Sequence, residues 1–132
     1  MIPDKIFMDI ADVIASNSKC TRAKVGAIIV KENNIIAIGY NGTPKGWPND
    51  CEENGVTKKE VLHAESNALA KCAGSQNSAM DSTIYVTHSP CPDCAKMIIQ
   101  SGIKRVCYKQ KYNSLEGVAL LIRHGIETEQ IV

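Results

Sequence analysis

The sequence has no long apolar run, no excess of one charge sign and no repeated or low-complexity segment. A membrane-spanning helix needs about 20 mostly apolar residues, so the sequence predicts no membrane partner. Surfaces that bind nucleic acid are usually clearly basic, whereas the formal net charge here is only +1. We therefore expect no nucleic-acid partner. A small anionic ligand held by a few local cations remains compatible with this charge.

The chain has 132 residues, a length typical of one domain with one hydrophobic core. We therefore expect residues 1–132 to form a single domain. The first five residues lack the basic start and the apolar segment of a secretory signal peptide. Six cysteines are present. Without a signal peptide, we expect them to be reduced thiols in a cytoplasmic protein.

The order of the periodic segments predicts an α/β fold. Apolar residues at helical spacing predict a helix over 4–17, and two β-branched runs around Asn33 and Asn34 predict a β-hairpin. Residues 40–60 predict a long, functional loop. Beyond this loop we predict helices over 63–73, 90–100 and 114–124, alternating with strands over 83–87, 104–108 and 126–132. This alternation predicts a central mixed sheet with helices on both faces.

One histidine and two cysteines have the spacing of a catalytic zinc site. His63 opens the His-Ala-Glu segment 63–65, and Cys91 and Cys94 belong to the Pro-Cys-Pro-Asp-Cys segment 90–94. A catalytic zinc has three protein ligands and leaves its fourth position to water. Both segments lie at predicted helix starts, where the partial positive charge stabilises thiolates. The pattern therefore predicts a Zn²⁺ site.

Glu65 follows the predicted histidine ligand by two residues. We expect its carboxylate to stay off the metal and to transfer protons beside the zinc-activated water. The order His-x-Glu, then Pro-Cys-x-x-Cys, is the signature of zinc nucleobase deaminases. A structural zinc site would normally have a fourth cysteine or histidine, and a redox pair would not need the upstream His-x-Glu. The pattern therefore favours a hydrolytic deaminase with Glu65 as the catalytic acid and base.

Four further segments resemble the deoxycytidylate (dCMP) deaminase branch of the cytidine deaminase-like superfamily. They are residues 18–27, 39–46, 85–96 and 101–108, and the Gly-Tyr-Asn-Gly-x-Pro sequence of the second is the most specific. The resemblance implies a three-layer α/β/α sandwich with a five-stranded mixed sheet. It also implies zinc-dependent hydrolysis of dCMP to dUMP with release of ammonia, a reaction that feeds thymidylate synthesis.

The same resemblance implies an allosteric homohexamer. In such enzymes dCTP activates and dTTP inhibits, with Mg²⁺ on the phosphates of the effector. Asn41 and Gly42 are the residues implied for effector binding. Some members carry a second, structural zinc, and Cys20 and Cys51 lie where such a site would be. A second zinc at these cysteines therefore stays an alternative.

The resemblance also implies a set of substrate-binding residues, namely Thr21, Arg22, Lys24, Asn41, Ala64, Ser89 and Tyr112. Arg22 and Lys24 would bind the 5′-phosphate with the Thr21 hydroxyl, or they are solvated loop charges. Asn41 would contact the deoxyribose or the pyrimidine, or it is a turn residue. Tyr112 would stack on or hydrogen-bond to the nucleotide, or it is a surface tyrosine.

Other substrates and one non-enzymatic role are the alternatives. A deaminase of free cytidine or guanine would have no use for Arg22 and Lys24 as phosphate ligands. A deaminase of adenosine in tRNA would need a more basic surface than this composition offers. A zinc-stabilised module that only binds nucleotides would need no proton-transferring residue such as Glu65. The sequence therefore predicts a zinc-dependent dCMP deaminase.

Overall fold

Four helices and seven strands are defined in residues 1–112 and 114–132, which the structure, a computed structural model, describes. The helices are α1 (Asp4–Ala15), α2 (Ala64–Ala73), α3 (Pro92–Gln100) and α4 (Glu116–Arg123). The strands are β1 (Gly26–Lys31), β2 (Asn34–Tyr40), β3 (Glu52–Glu53), β4 (Val56–Thr57), β5 (Thr83–His88), β6 (Arg105–Gln110) and β7 (Glu127–Gln130). No helix in these two ranges combines the length and the apolar composition needed to cross a bilayer.

Five of the strands form one mixed sheet in the order β2-β1-β5-β6-β7. Strand β1 pairs antiparallel with both β2 and β5, whereas β5-β6 and β6-β7 are parallel pairs. The carboxyl ends of β5 and β6 therefore meet at the same edge of the sheet, with His88 opposite Gln110. The five-stranded mixed sheet predicted from the sequence is confirmed.

Hydrophobic side chains from both faces of the sheet are buried in two separate cores. One core contains the apolar faces of α2, α3 and α4 packed on the sheet, and Ile98 and Leu121 in it are fully buried. The other contains α1, whose Phe7 and Met8 pack against Ile28 and Tyr85. Helices thus cover both faces, and the structure has the predicted three-layer α/β/α arrangement.

Two short turns show where the sequence pattern was informative and where it was not. Glu32 and Asn33 join β1 to β2 with φ of 49° and 66°, a left-handed pair typical of tight hairpins, close to the predicted turn. A second hairpin, β3-β4, turns at Asn54 and Gly55 inside the predicted loop over 40–60. Its strands are only two residues each, and both residues of β3 are glutamates, so the strands lack the alternation that identifies a strand.

Candidate active site

The three predicted zinc ligands come together at the N-termini of two helices. His63 is the N-cap residue of α2, Cys91 is the N-cap residue of α3, and Cys94 lies one turn further along α3. His63 Nδ1 is 3.5 Å from Cys91 Sγ and 3.3 Å from Cys94 Sγ. The three ligand atoms all lie within 4.8 Å of one another. Side chains separated by about 30 positions in sequence therefore form one cluster.

This cluster fits a zinc ion. Tetrahedral zinc with its usual bond lengths to nitrogen and sulfur places these atoms roughly 3.6 Å apart, close to the distances observed. The backbone N–H of Cys94 donates to Cys91 Sγ at 3.5 Å. Hydrogen bonds from Cys94 and His63 lower the pKa of Cys91, which favours the thiolate form that a zinc ligand requires.

Glu65 lies in the first turn of α2, two residues beyond the histidine of the cluster, and its side chain is almost completely buried. Burial raises the pKa of this carboxyl group to about 7, because an ionised carboxylate is poorly solvated there. A cation bound to the cluster would oppose this shift. A buried carboxyl group that is not itself a predicted metal ligand can accept and return a proton, which general acid–base chemistry requires.

A cavity of about 380 Å³ opens above this group, within the usual range for small-molecule sites. His63, Glu65 and Cys91 all line it. Of the predicted substrate-binding residues, those that line it are Arg22, Asn41, Ala64, Ser89 and Tyr112. The cavity therefore joins the metal-binding cluster to most of the residues implied by the family resemblance.

Two predicted phosphate ligands have other contacts and are not part of the cavity lining. The ammonium group of Lys24 donates a hydrogen bond to the backbone carbonyl of Ser18. The Thr21 hydroxyl donates to Glu52 Oε1 at 3.0 Å. Gly42, predicted to bind an effector, pairs its backbone with that of Leu62, with N–O distances of 3.1 and 2.7 Å.

Asn41 holds together two segments that line the cavity. Its Oδ1 accepts from the backbone N–H of Val25 at 2.8 Å, and its Nδ2 donates to the carbonyl of Ala23 at 2.8 Å. One acceptor position on the oxygen and one N–H of the amide are left for a ligand. The side chain therefore has a structural role that the sequence did not indicate, and it still borders the cavity.

Tyr112 is anchored through its backbone. Its N–H donates to Ser89 Oγ at 2.7 Å, and its ring meets His88 edge-on with 6.3 Å between centroids. The residue as a whole is almost half exposed. This places an aromatic side chain at the cavity wall, where it can stack on a ligand or hydrogen-bond to it.

Lys111, Glu52 and Thr57 line the cavity but were not singled out in the sequence. Lys111 directly follows the carboxyl end of β6. The neighbouring parallel strand β5 ends at the same edge of the sheet, and the segment after it leads to Cys91. Adjacent parallel strands place ligand-binding residues at their common carboxyl edge, which is the signal that could have identified Lys111. Glu52 and Thr57 carry no such signal, because they reach the cavity through the hairpin β3-β4.

Cys20 and Cys51 form a disulfide. The expectation that all six cysteines are reduced is therefore wrong for this pair, while Cys72, Cys91, Cys94 and Cys107 are free thiols. Zinc binds thiolates, so the two disulfide sulfurs are not available as ligands of a second, structural zinc. The pairing was not predicted because the two cysteines are 31 positions apart and meet only through the fold.

Comparison with known proteins agrees with this geometry. The zinc-binding region of cytidine and deoxycytidylate deaminases matches residues 1–110. The chain belongs to this family.

Several proteins of the family resemble the chain over most of its length. The dCMP deaminase of cyanophage S-TIM5, solved in complex with dCMP and dUMP, superposes with a TM-score of 0.96 at 46% identity and covers 99% of both chains. The deoxycytidylate deaminases of Schizosaccharomyces pombe and Saccharomyces cerevisiae are 36% and 38% identical over 98% and 96% of this chain. The chain spans 44% of the length of each fungal relative. The cytidine deaminase-like fold predicted from the sequence is thereby confirmed.

Proposed function

We propose that this deaminase family member is a zinc-dependent hydrolase that converts dCMP to dUMP and ammonia and so supplies thymidylate synthesis. The observation that carries the proposal is one cavity that contains His63, Cys91, the buried Glu65 and the two cations Arg22 and Lys111. The cluster and Glu65 suit deamination, and the cations suit a phosphate. The names of the fungal relatives and the nucleotides bound to the cyanophage enzyme support the same substrate.

The chemistry is divided between a metal and one carboxyl group. His63, Cys91 and Cys94 would hold the zinc ion, which when bound supplies Lewis-acid activation of water. Glu65 takes a proton from the attacking water and gives it to the ring nitrogen of cytosine. It then takes the second proton of that water, from the oxygen now bonded to the ring carbon, and delivers it to the amino group as the bond between carbon and nitrogen breaks and ammonia leaves. The carbon that lost the amino group keeps the water oxygen as a carbonyl.

The remaining cavity residues bind the nucleotide. Arg22 and Lys111 bind the 5′-phosphate, and this pair replaces the predicted pair of Arg22 and Lys24. Asn41 hydrogen-bonds to the nucleoside through its remaining N–H and lone pair, and Tyr112 packs against it. Ala64 and Ser89 complete the binding surface near the cluster. Thr21 contributes indirectly, through its contact with Glu52.

A substrate panel tests this proposal. The zinc-loaded protein is incubated with dCMP, deoxycytidine, cytidine monophosphate and guanine, and ammonia release is measured. We expect dCMP to react fastest, with an advantage over deoxycytidine of about a hundredfold or more, since each of the two charge-assisted hydrogen bonds contributes roughly 1.5–3 kcal/mol. Arg22→Gln should lower this advantage about tenfold or more, whereas Lys19→Gln, which changes an exposed cation nearby, should leave it unchanged. Equal rates on dCMP and deoxycytidine would instead favour a nucleoside deaminase.

We further propose that the enzyme is a homohexamer activated by dCTP and inhibited by dTTP, each with Mg²⁺ on its phosphates. The resemblance of residues 39–46 to the family supports this, and so does the pairing of Gly42 with Leu62, the residue before His63. A change at Gly42 would thus act on the residue that precedes the predicted zinc ligand His63. Allostery requires two states with different effector affinity. Light scattering should give the mass of a hexamer. The deamination rate should depend sigmoidally on dCMP concentration, and the curve should become more sigmoidal with dTTP and less sigmoidal with dCTP. A monomer whose hyperbolic curve neither triphosphate changes would contradict the proposed regulation but not the deaminase activity.

A further inference from the structure

The Glu52 carboxylate accepts hydrogen bonds from the backbone of the segment that contains Arg22. Glu52 Oε2 accepts from the backbone N–H groups of Thr21 at 3.1 Å and Arg22 at 3.2 Å, while Oε1 accepts from the Thr21 hydroxyl at 3.0 Å. All three donors belong to two consecutive residues about 30 positions away from the carboxylate. Hydrogen bonds from Arg22 and Thr21 outweigh burial and lower the pKa of Glu52, so the group is ionised at neutral pH.

The hairpin that carries Glu52 contacts the same segment at two more points. Thr57, paired with Glu52 across β3-β4, accepts a hydrogen bond from Arg22 Nη1 at 3.4 Å. Cys51, the residue before Glu52, is covalently joined to Cys20, the residue before Thr21. The hairpin thus fixes the backbone of this segment and one end of the guanidinium group.

The charges are arranged so that the guanidinium stays available. The Glu52 carboxylate is satisfied by backbone and hydroxyl donors, and the Arg22 contact on the hairpin is a neutral hydroxyl. Among residues 1–112 and 114–132, no carboxylate lies within ion-pair distance of Arg22. Arg22 and Glu52 both line the cavity. A guanidinium at a cavity wall that no carboxylate pairs with is suited to an anionic group of a ligand.

We infer that Glu52 is a positioning residue for phosphate recognition, which rests on the proposed deamination of a nucleotide. Glu52 fixes the Thr21–Arg22 backbone so that the guanidinium faces the 5′-phosphate without being neutralised by a carboxylate. It touches neither the base nor the reacting atoms. Selectivity for the nucleotide over the nucleoside therefore depends on an acidic residue. Direct repulsion between a carboxylate and a nearby phosphate would have the opposite effect and would reduce this selectivity.

The opposite effects of positioning and repulsion make the test decisive. Glu52→Gln keeps the size of the side chain, but its amide nitrogen cannot accept a hydrogen bond from the Thr21 and Arg22 segment. We expect KM for dCMP to rise about tenfold with kcat nearly unchanged, the loss of roughly one charge-assisted hydrogen bond. Activity on deoxycytidine should not change. Glu53→Gln removes the same charge from the adjacent exposed residue of β3 and should leave both substrates unaffected.

A double-mutant cycle separates positioning from a general loss of structure. If Glu52 acts through Arg22, the double variant and the Arg22→Gln single variant should have the same ratio of dCMP to deoxycytidine activity. Additive losses would mean that the two residues act independently and would overturn the inference. An unchanged ratio in the single variant would also overturn it, and so would a raised ratio, since that is the result of direct repulsion.

Binding of the product tests the inference without turnover. Calorimetry with dUMP and with deoxyuridine measures the contribution of the phosphate to affinity whether or not the protein deaminates. We expect Glu52→Gln to weaken dUMP about tenfold and to leave deoxyuridine unchanged. Failure of the wild-type protein to deaminate dCMP would reject the proposed function alone. Equal affinity of dUMP in the wild-type and Glu52→Gln proteins would reject the positioning role alone.

Discussion

Asp4 in the first turn of α1 and Arg105 at the start of β6 form a bidentate ion pair across 101 positions of sequence, with both N–O distances 2.8 Å. The Tyr85 hydroxyl donates to the same carboxylate at 2.6 Å. Arg105 also pairs with Glu127 and Glu129 of β7, at 2.8 and 2.6 Å. This cluster joins α1 to β5, β6 and β7, so it holds the α1 layer against the sheet.

Asp4→Asn should destabilise the fold in a pH-dependent way. Hydrogen bonds from Arg105 lower the pKa of Asp4 from 3.8 to about 2. A lowered pKa in the folded state stabilises the fold above pH 3.8, and this stabilisation disappears as the pH falls to about 2. Because the ion pair is partly exposed, we expect the free energy of unfolding of Asp4→Asn to be about 1 kcal/mol lower than that of the wild-type protein at pH 7.

Urea unfolding of the wild-type and Asp4→Asn proteins at several pH values measures this effect. The difference in free energy of unfolding between them should shrink between pH 4 and pH 2, around the pKa values of the two states. Asp9→Asn is the control, because its partner Lys5 is an exposed neighbour on the same helix and contributes about 0.3–0.5 kcal/mol. A difference that stays constant down to pH 2 would mean that the carboxylate charge is not responsible.

Cys91→Ser should lose most of the bound zinc. A serine hydroxyl is a much poorer zinc ligand than a thiolate, and only two ligands would remain. Metal analysis after dialysis should find about one zinc per wild-type chain and little in the variant. Cys72→Ala, at a free cysteine outside the cluster, should keep its zinc. Full zinc retention in Cys91→Ser would reject the ligand assignment.

Glu65→Gln should keep zinc and substrate affinity but lose turnover. An amide of the same size cannot shuttle protons, and general acid–base catalysis contributes at least ~10²–10⁴-fold. Single-turnover kinetics with dCMP and calorimetry with dUMP separate the two effects. If the variant turned over at a near-normal rate, another group would have to carry the proton.

Thiol titration should find four reactive cysteines per chain in the denatured, zinc-free protein, and six after reduction, because Cys20 and Cys51 are joined and the other four are free. Cys20→Ser should give five thiols without any reductant, since Cys51 then has no partner. Six thiols in the unreduced wild-type protein would show that the disulfide does not form in solution.

Gly117→Ala should weaken zinc binding from a position in α4. A Cβ at Gly117 would lie 2.0 Å from the carbonyl oxygen of Pro90 and 2.8 Å from the backbone of Cys91. These are backbone atoms of the ligand segment, so the segment or the helix must shift. Overpacking of this kind destabilises by about 1–3 kcal/mol. Gly74→Ala is the control, because its nearest neighbour would be at an ordinary 3.6 Å. Equal zinc affinity and thermal stability in both variants would contradict the close contact.

Much of the fold and the core of the site could be read from the sequence because their signals are local. Helical periodicity, β-branched runs and turn residues depend on neighbours a few positions away, and they predicted the five strands and four helices of the main layers. The metal motif is local too. Cys91 and Cys94 are three residues apart at a helix start, and Glu65 follows His63 by two.

The residues that surround the metal-binding cluster come from segments far apart in the sequence, and no local sequence pattern predicts which of these segments meet. Lys24 and Lys111 look alike in sequence, yet the parallel pairing of β5 with β6 places Lys111 at the cavity while Lys24 contacts Ser18. The hairpin β3-β4 has too few apolar residues to be recognised. Its position comes from contacts of Cys51 and Glu52 with residues about 30 positions earlier. Such contacts form only when the chain folds, because the order and direction of the strands determine which loops lie at the same edge of the sheet.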